Sequence, residues 1–233
     1  MQLRIEYNEF IKGKRIAFVG ACPNIVGMNK GKDIDKYDIV IKTNGSSLME
    51  SPEYYRDYGK RLDVLYANVQ FSREMYPLPM IKFKNKGIRW VCFKTISDFD
   101  MELYGKDMNV RNIRDIIKAV HQQVPGALMG CFIFTDLIRF KPRELYITGV
   151  DFFASKKKVF EHDNYQEYLN DYLPPNIRAQ GNAINVGKSD DGHNMIENTK
   201  YIYNLFQKYP NMKTDDFIYK LMEDIVNGKR IQK

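Results

Sequence analysis

Residues 15–45 constrain the fold of this chain more than any other segment. The segment begins with a short apolar run at 16–19 that Gly20 closes, as expected of a central strand in a parallel sheet. A second strand-like run at 38–42 follows, and the connection between the two runs contains several glycines. Open α/β sheets bind nucleotides where a strand opens into such a small-residue loop at its carboxyl end. The segment therefore predicts the first βα unit of a nucleotide-binding domain.

Strand-like and helix-like segments alternate along the rest of the chain. This alternation predicts a mostly parallel sheet flanked by helices, in a single Rossmann-like α/β domain over residues 1–233. A polar stretch at about 154–188 interrupts the pattern and predicts a lid-like insert. The predicted strands lie at 15–19, 38–42, 63–67, 90–93 and 144–148, and the predicted helices at 110–122, 128–140, 196–209 and 215–227.

The first segment resembles the large sialyl motif of the animal-type sialyltransferases, glycosyltransferase family 29. That motif reads VGNSGN after a strand, then GKEID, then D-x-VIR-x-N. This chain has VGACPN at 19–24, GKDID at 31–35 and DIVIKTN at 38–44. Ala21 and Pro23 depart from the animal pattern, and the bacterial lipooligosaccharide sialyltransferases of family 42 have a proline in this loop, GNGPS.

Two later blocks extend the resemblance in the same order along the chain. The sequence PGALMG at 125–130 opens an apolar helix, and ELYITGVDFF at 144–153 follows it. These blocks resemble the small sialyl motif and the E-x-Y-x-x-G-x-D-F-Y strand of the bacterial family. The sequence GHN at 192–194 resembles the very small motif, in which a glutamate lies five positions after the histidine. Here Glu197 lies four positions after His193.

The resemblance implies a glycosyltransferase that moves sialic acid or a related acidic sugar from a CMP-sugar donor to a glycan hydroxyl, with inversion. Asn44 and Asn68 also follow strand-like runs, which predicts that both lie at the carboxyl edge of the sheet with a donor and an acceptor to offer. The residues expected to contact the donor nucleotide are Gly20, Asn24, Asn44, Asn68, Gly126, Gly149 and Asp151.

Transfer to a hydroxyl needs a group that accepts its proton, and histidine has a pKa near working pH. Of the three histidines, His121 lies near the end of a predicted helix and His162 lies in the polar insert. His193 lies in a loop before a helix, and the motif resemblance favours it as the catalytic base. Phe153 stands where the bacterial family has a phosphate-binding tyrosine, so His162 and Tyr165 are the candidates for lid contacts to phosphate.

We expect the transfer to need no metal and no cofactor other than the donor. Residues 33–35 and 98–100 have the Asp-x-Asp form that holds a metal in many glycosyltransferases. The first pair lies inside the large-motif block, whose family uses no metal, and both carboxylates are interpreted as turn or capping groups. No cysteine–histidine spacing indicates zinc.

Net charge and composition limit the classes of molecule that this chain is expected to bind. A net charge of +7 suits an acidic substrate, whereas the short lysine clusters at 82–86 and 156–158 are typical of a solvated face and disfavour nucleic-acid binding. No apolar run approaches the length of a membrane span, and the first ten residues show no signal-peptide core. Golgi sialyltransferases have an anchor and a disulfide. Here Ile16 replaces the large-motif cysteine, and three cysteines favour a reduced, cytoplasmic location.

Several other functions compete with this interpretation. A dinucleotide-dependent oxidoreductase would need G-x-G-x-x-G after the first strand, and a P-loop enzyme would need Gly-Lys-Ser/Thr, and neither pattern is found there. A transferase with a different nonulosonic CMP-sugar donor stays open. So does a non-catalytic nucleotide-binding or interaction module, given Ala21 and Phe153.

Overall fold

The structure, a computed structural model, describes residues 2–43, 52–67, 87–94, 96, 101, 102, 105, 108–152 and 194–228. Within these residues seven strands form one sheet, and every pair of neighbours is parallel. The strands are β1 (Arg15–Val19), β2 (Ile39–Thr43), β3 (Val64–Ala67), β4 (Trp90–Phe93), β5 (Asn109–Asn112), β6 (Glu144–Thr148) and β7 (Met212–Thr214).

Helices connect the strands and cover the sheet. They are α1 (Gln2–Ile11), α2 (Gly31–Ile34), α3 (Pro52–Tyr58), α4 (Arg114–His121), α5 (Met129–Ile138), α6 (Met195–Lys208) and α7 (Asp216–Val226), with a short 3-10 helix at Pro23–Ile25. No helix among the described residues is long and apolar enough to cross a lipid bilayer.

The order of the strands places β1 at the topological switch point of the sheet, where the direction in which the chain adds strands reverses. The chain moves outward from β1 through β2, β3 and β4 to β5, then returns to the other side of β1 to form β6 and β7. The register pairs Arg15 with Glu144 and Val19 with Thr148. Loops that leave two neighbouring parallel strands in opposite directions separate and form a crevice at their carboxyl ends, where ligands of open α/β sheets bind.

Apolar side chains cover both faces of the central strand. Successive side chains of a strand point to opposite faces, and Ile16 and Phe18 belong to a large cluster with α1, α4, α5, α6 and α7. Ala17 and Val19 belong to a second cluster, beside α2 and the end of α3. All four residues are buried. The predicted α/β class and parallel sheet are therefore confirmed, and the continuous apolar run of β1 reflects its burial on two sides.

The predicted strands at 15–19, 90–93 and 144–148 are confirmed residue for residue. The predicted helix at 110–122 is wrong in its first turn, because Asn109–Asn112 forms β5 at the edge of the sheet and the helix begins only at Arg114. The side-chain oxygen of Asn112 accepts a hydrogen bond from the backbone N–H of Arg114 at 2.8 Å, which stabilises the start of the helix. Helix α1 and strand β7 were not predicted. The lid-like insert lies outside the described residues.

A buried ionic cluster fastens β5 to the rest of the domain. Arg111 donates two hydrogen bonds to Asp136 on α5, at 2.8 and 3.0 Å, and Arg139 contacts the same carboxylate at 3.0 Å. Tyr66 on β3 donates to Asp136 at 2.7 Å, and its hydroxyl meets that of Tyr7 on α1 at 3.0 Å. Asp136 is completely buried. The cluster therefore joins two strands and two helices around one carboxylate, whose charge Arg111 and Arg139 balance.

Candidate functional site

The backbones that leave β1 and β6 touch each other at the crevice. The N–H of Gly20 donates to the carbonyl of Thr148, and the N–H of Cys22 donates to that of Gly149, each at 2.9 Å. A Cβ atom on Gly20 would stand 2.3 Å from the oxygen of Gly149, and Gly149 has a φ of +66°. Only glycine fits this close approach. Two of the predicted nucleotide contacts are thereby brought together, and the sheet edge between them carries bare backbone.

Asn24 follows in the loop that leaves β1, in the middle of the 3-10 helix. Its side chain is 3% exposed, and neither its amide nitrogen nor its amide oxygen has a hydrogen-bond partner among the described residues. Tyr58 donates from its hydroxyl to the carbonyl of Cys22 at 2.9 Å, which fastens the start of this loop to α3. A buried polar group left unpaired costs about 1–3 kcal/mol. The loop therefore holds a donor and an acceptor that a polar ligand could satisfy.

Asp151 follows β6 by three residues, on the other side of the same crevice. Asp151 is 2% exposed. The next residue, Phe152, has a φ of +49°, which is uncommon for a bulky residue, and its side chain packs into the large apolar cluster. The chain therefore turns sharply after Asp151 and keeps the carboxylate inside the domain. Phe153 lies outside the described residues.

Gly126 lies in the loop before α5 and has a φ of +72°. The contacts described for it run to α6, because its carbonyl accepts a hydrogen bond from the side chain of Asn198 at 3.4 Å. The side chain of Asn194 caps the first turn of α6 by accepting from the N–H of Glu197 at 3.2 Å. The loop of Gly126 and the beginning of α6 thus form one contact region. His193 precedes it directly in the chain.

Five of the predicted site residues lie outside the described residues: Asn44, Asn68, His162, Tyr165 and His193. The strands that lead to two of them are described. Strand β2 ends at Thr43 and β3 ends at Ala67, both at the same edge of the sheet as Gly20. Glu197, which was weighed as the motif glutamate, pairs with Lys200 at 3.0 Å on the exposed side of α6. Asn198 is the residue five positions after His193, and it is completely buried.

A polar cluster beside Gly149 was not predicted from the sequence. The hydroxyl of Thr148 donates to Asp215 at 2.6 Å, and that of Tyr146 donates to the same carboxylate at 2.5 Å. Lys30, at the start of α2, donates to Asp215 and to the Tyr146 oxygen. Burial alone would lower the pKa of Lys30, but these hydrogen bonds outweigh it and raise that pKa. The cluster keeps an ammonium group beside the crevice and joins α2 to the end of β7.

The amino-acid sequence gives little indication that Lys30, Tyr146 and Asp215 form a cluster. Asp215 is the N-cap of α7, and the sequence placed it at the start of a helix as an ordinary helix-starting residue. Lys30 is one of many lysines, and Tyr146 reads as a core aromatic in an apolar strand. The parallel pairing of β6 with β7 is what brings Asp215 next to Thr148, and β7 has only three residues.

Two of the three thiols, those of Cys92 and Cys131, are poor nucleophiles at neutral pH. Cys22, Cys92 and Cys131 are buried, and none of them forms a disulfide. Burial raises the pKa of the Cys92 thiol to about 11 and that of the Cys131 thiol to about 12. A thiol with such a pKa stays protonated near pH 7 and does not attack a substrate. His121 is exposed at the end of α4, with its ring 5.1 Å from that of Phe132, in agreement with a helix-terminal role.

The first Asp-x-Asp pair is engaged in local structure. Asp33 pairs with Lys36 at 2.8 Å, and Asp35 accepts hydrogen bonds from the backbone N–H groups of Lys60 and Arg61 at 3.1 and 3.0 Å. The second pair, at 98–100, lies outside the described residues. In the part of the chain that the structure describes, no three histidine, cysteine or acidic side chains converge as a metal site would require.

Neither a protein-family model nor a curated protein matches this sequence. Solved structures do match it. The sialyltransferase CstII from Campylobacter jejuni, in complex with the substrate analogue cytidine-5'-monophosphate, superimposes with a TM-score of 0.56 at 14% identity, over 87% of this chain and 80% of that one. The monofunctional α-2,3-sialyltransferase Cst-I from the same organism gives 0.57 at 15% identity, over 88% and 77%.

A mammalian sialyltransferase, in complex with Gal-beta-1-3GalNAc-ortho-nitrophenol, superimposes with a TM-score of 0.55 at 12% identity, over 89% of this chain and 71% of that one. The chain has a sialyltransferase fold. At these identities the likeness is one of architecture, and it covers both the bacterial and the mammalian forms of that architecture.

Proposed function

We propose that this chain is a glycosyltransferase that transfers sialic acid, or a related acidic sugar, from a CMP-sugar donor to a glycan hydroxyl. The transfer inverts the anomeric centre and uses no metal. The solved structures with the same fold are sialyltransferases, and one of them was determined with cytidine-5'-monophosphate bound. The sequence blocks at 19–44, 125–130 and 144–153 resemble the motifs of the same enzymes.

The unpaired amide of Asn24 is the observation that carries the proposal. It is buried in the loop after β1, at the topological switch point of the sheet. Both of its polar atoms lack a hydrogen-bond partner among the described residues. A buried amide without hydrogen bonds costs free energy, and a bound nucleotide that donates to it or accepts from it would remove that cost. The adjoining contact of Gly20 with Gly149 holds the loops that leave β1 and β6 close together at the carboxyl ends of their strands, where open α/β sheets bind ligands.

The chemistry assigned to the site is a single displacement. The acceptor hydroxyl attacks the anomeric carbon, the bond from that carbon to the phosphate oxygen breaks, and CMP leaves with the electron pair. His193 takes the proton of the hydroxyl, because an imidazole near its ordinary pKa is a suitable base. His162 and Tyr165 are proposed to donate hydrogen bonds to the departing phosphate from the insert. Asn44, Asn68 and Asp151 complete the proposed contacts to the nucleotide.

Calorimetry tests the nucleotide part of the proposal. The purified chain is titrated with CMP, CDP, UDP, GDP, NAD and S-adenosylmethionine in the presence of EDTA. We expect CMP to bind selectively, because the proposed donor is a CMP-sugar and its recognition needs no metal. Preference for another nucleotide, or binding of CMP only after a divalent metal is restored, would contradict it.

Replacing His193 with alanine tests the catalytic part. With CMP-sialic acid as donor and a panel of glycan acceptors, we expect His193→Ala to reduce transfer by at least a factor of about 100, as loss of a general base does. Its affinity for CMP should stay within about threefold of the unaltered chain, because the base is not assigned a contact to the nucleotide. His121→Ala is the matched control and should leave the rate unchanged, since His121 lies on the exposed end of α4.

The two open alternatives give different results in these assays. A transferase for another nonulosonic sugar would bind CMP and use His193, yet would transfer only from its own CMP-sugar. A non-catalytic module would bind CMP and transfer from none of the donors, and His193→Ala would change nothing measurable.

A further inference from the structure

Asn198 is the most completely bonded polar side chain near the proposed site. It lies in the second turn of α6 and is 0% exposed. Its oxygen accepts from the backbone N–H of Leu128 at 2.6 Å and from the thiol of Cys131 at 3.1 Å. Its nitrogen donates to the carbonyl of Asn194 at 2.7 Å and to that of Gly126 at 3.4 Å. One amide therefore joins the loop before α5, the first turn of α5 and the first residue before α6.

The carbonyl of Asn194 is held twice by the same residue. It accepts from the backbone N–H of Asn198 at 3.0 Å, as in any helix, and from the Asn198 side chain at 2.7 Å. The second bond is an addition to ordinary helix geometry, and it restrains the peptide that begins α6. His193 is joined to Asn194 by a peptide bond, so their Cα atoms stand about 3.8 Å apart. Whatever holds Asn194 therefore limits where His193 can lie.

The other end of the Asn198 amide holds the Gly126 loop. The 2.6 Å bond from Leu128 anchors the residue that precedes α5, and Gly126, two residues earlier, is among the proposed nucleotide contacts. Asn198 thus spans the distance between a loop assigned to the donor and the residue next to the assigned base. A displacement of about 1 Å between reacting groups can cost about 100-fold in rate.

We propose that Asn198 is a positioning residue for the transfer reaction: it fixes the peptide that follows His193 against the Gly126 loop, so that the base stands at a set place relative to the donor. The proposal rests on the proposed function, in which His193 is the base. Asn198 itself touches neither substrate nor reacting atoms, because its four hydrogen bonds to Leu128, Cys131, Asn194 and Gly126 occupy its amide.

The substitution Asn198→Asp separates the two ends of the amide. A carboxylate of the same shape keeps the acceptor for Leu128 and Cys131 but loses both donated hydrogen bonds, to the carbonyls of Asn194 and Gly126. Asn211→Asp is the matched control, because the Asn211 side chain also donates to a loop carbonyl, that of Pro142 at 2.8 Å, beside the starts of the strands rather than their carboxyl ends. Three quantities are measured at pH 8 for both variants: kcat with CMP-sialic acid, the Kd for CMP, and hydrogen exchange of the amides at 194–198.

We expect Asn198→Asp to lower kcat by at least tenfold, to change the Kd for CMP by less than threefold, and to accelerate exchange at 194–198. Asn211→Asp should leave all three unchanged. Equal losses of kcat in both variants, or an unaltered kcat in a folded Asn198→Asp protein, would overturn the proposal. If Asn198→Asp does not fold, Asn198→Ser repeats the test, because a hydroxyl has one donor and cannot serve both carbonyls.

The outcome also distinguishes this proposal from the wider one. If the unaltered chain transfers no sugar and His193→Ala has no effect, the proposed function fails, and hydrogen exchange alone then reports on the bond from Asn198 to Asn194. If the unaltered chain transfers sugar through His193 and Asn198→Asp keeps its rate, only the positioning role fails.

Discussion

At the scale of single residues, two buried asparagines of this domain behave in opposite ways. Both polar atoms of the Asn198 side chain have hydrogen-bond partners, whereas those of Asn24 have none among the described residues. Both are nearly or completely inaccessible to solvent. An amide that is satisfied by its own chain stabilises the fold, and one that is left unpaired costs free energy until a ligand binds. The contrast is the reason why we propose Asn24, and not Asn198, as a contact to the nucleotide.

This contrast leads to a prediction for Asn24→Ala. The free energy of unfolding of the ligand-free protein should stay within about 0.5 kcal/mol of its original value or rise, because the lost amide made no hydrogen bond to described residues and its removal relieves a buried unpaired group. The affinity for CMP should fall at least tenfold. Urea unfolding and calorimetry measure the two effects.

Asn211→Ala is the control for that experiment. It removes a bonded amide at a distance from the crevice, so it should lower the free energy of unfolding and leave CMP affinity alone. A destabilised Asn24→Ala protein with normal CMP affinity would show that Asn24 is an ordinary structural residue.

At the scale of elements, β5 depends on a buried ion pair as well as on the apolar packing of Val110. It is an edge strand whose third residue is Arg111, and that side chain is 5% exposed. The guanidinium contacts Asp136 through two hydrogen bonds and lies 4.1 Å from the centre of the Tyr7 ring. Desolvating such a pair is costly, and the pair stabilises the fold only while both partners are present.

Replacing Arg111 with leucine should therefore lower the free energy of unfolding by about 3–5 kcal/mol, since Asp136 would lose its main counter-charge inside the protein. Urea unfolding measures this. The control is Lys36→Leu, which removes the partner of Asp33 in a pair whose side chains are 72% and 75% exposed, and it should leave the free energy of unfolding nearly unchanged. A loss below 1 kcal/mol for Arg111→Leu would mean that Arg139 and Tyr66 suffice to hold the carboxylate.

At the scale of the whole molecule, burial of ionisable side chains sets the response to alkali. The Cys92 and Cys131 thiols have ordinary pKa values of 9.0, and burial raises them to about 11 and about 12. Burial also raises the pKa of the Tyr7 and Tyr66 hydroxyls above 10.0. These groups lose protons more readily in the unfolded chain than in the folded one, so raising the pH favours unfolding.

The contribution of these groups to the free energy of unfolding should thus be constant up to about pH 8 and should fall with increasing slope from about pH 8 to 11. Each fully shifted group adds a slope of up to about 1.4 kcal/mol per pH unit. Urea titrations at half-unit steps from pH 7.5 to 11 measure the slope. The variant Cys131→Ala should show a shallower decline than the unaltered protein, and identical slopes for the two would contradict the assignment.

How much of this molecule could be predicted depends on where each element obtains its stability. Strands β1, β4 and β6 are short, mostly apolar and largely buried runs, and such runs can be recognised in a single sequence. Strand β5, by contrast, carries Arg111, which is buried only because Asp136, from a later helix, faces it. Strand β7 has three residues and exists through its pairing with β6. Pairing partners distant in the chain leave no local pattern.

The candidate site divides in the same way. The positions of Gly20, Asn24 and Gly149 just after β1 and β6 could be predicted, because both strands are apolar runs that the sequence shows clearly; their role in binding stays a prediction. The cluster of Lys30, Tyr146 and Asp215 could not, since its members come from three separate elements that only the folded sheet brings together. The same holds for Asn198, which reads in the sequence as one polar residue among several at the start of a helix.

The central place of β1 also has a consequence for biosynthesis. One edge of β1 pairs with β2, which follows it closely, but the other edge waits for β6, and the register joins Arg15 to Glu144. During translation β1 must therefore stay open on one side until the chain has been made as far as β6. The meeting of Gly20 with Gly149 cannot occur before then. A ribosome that stalls before Glu144 would release a chain with an unpaired apolar edge and without the crevice.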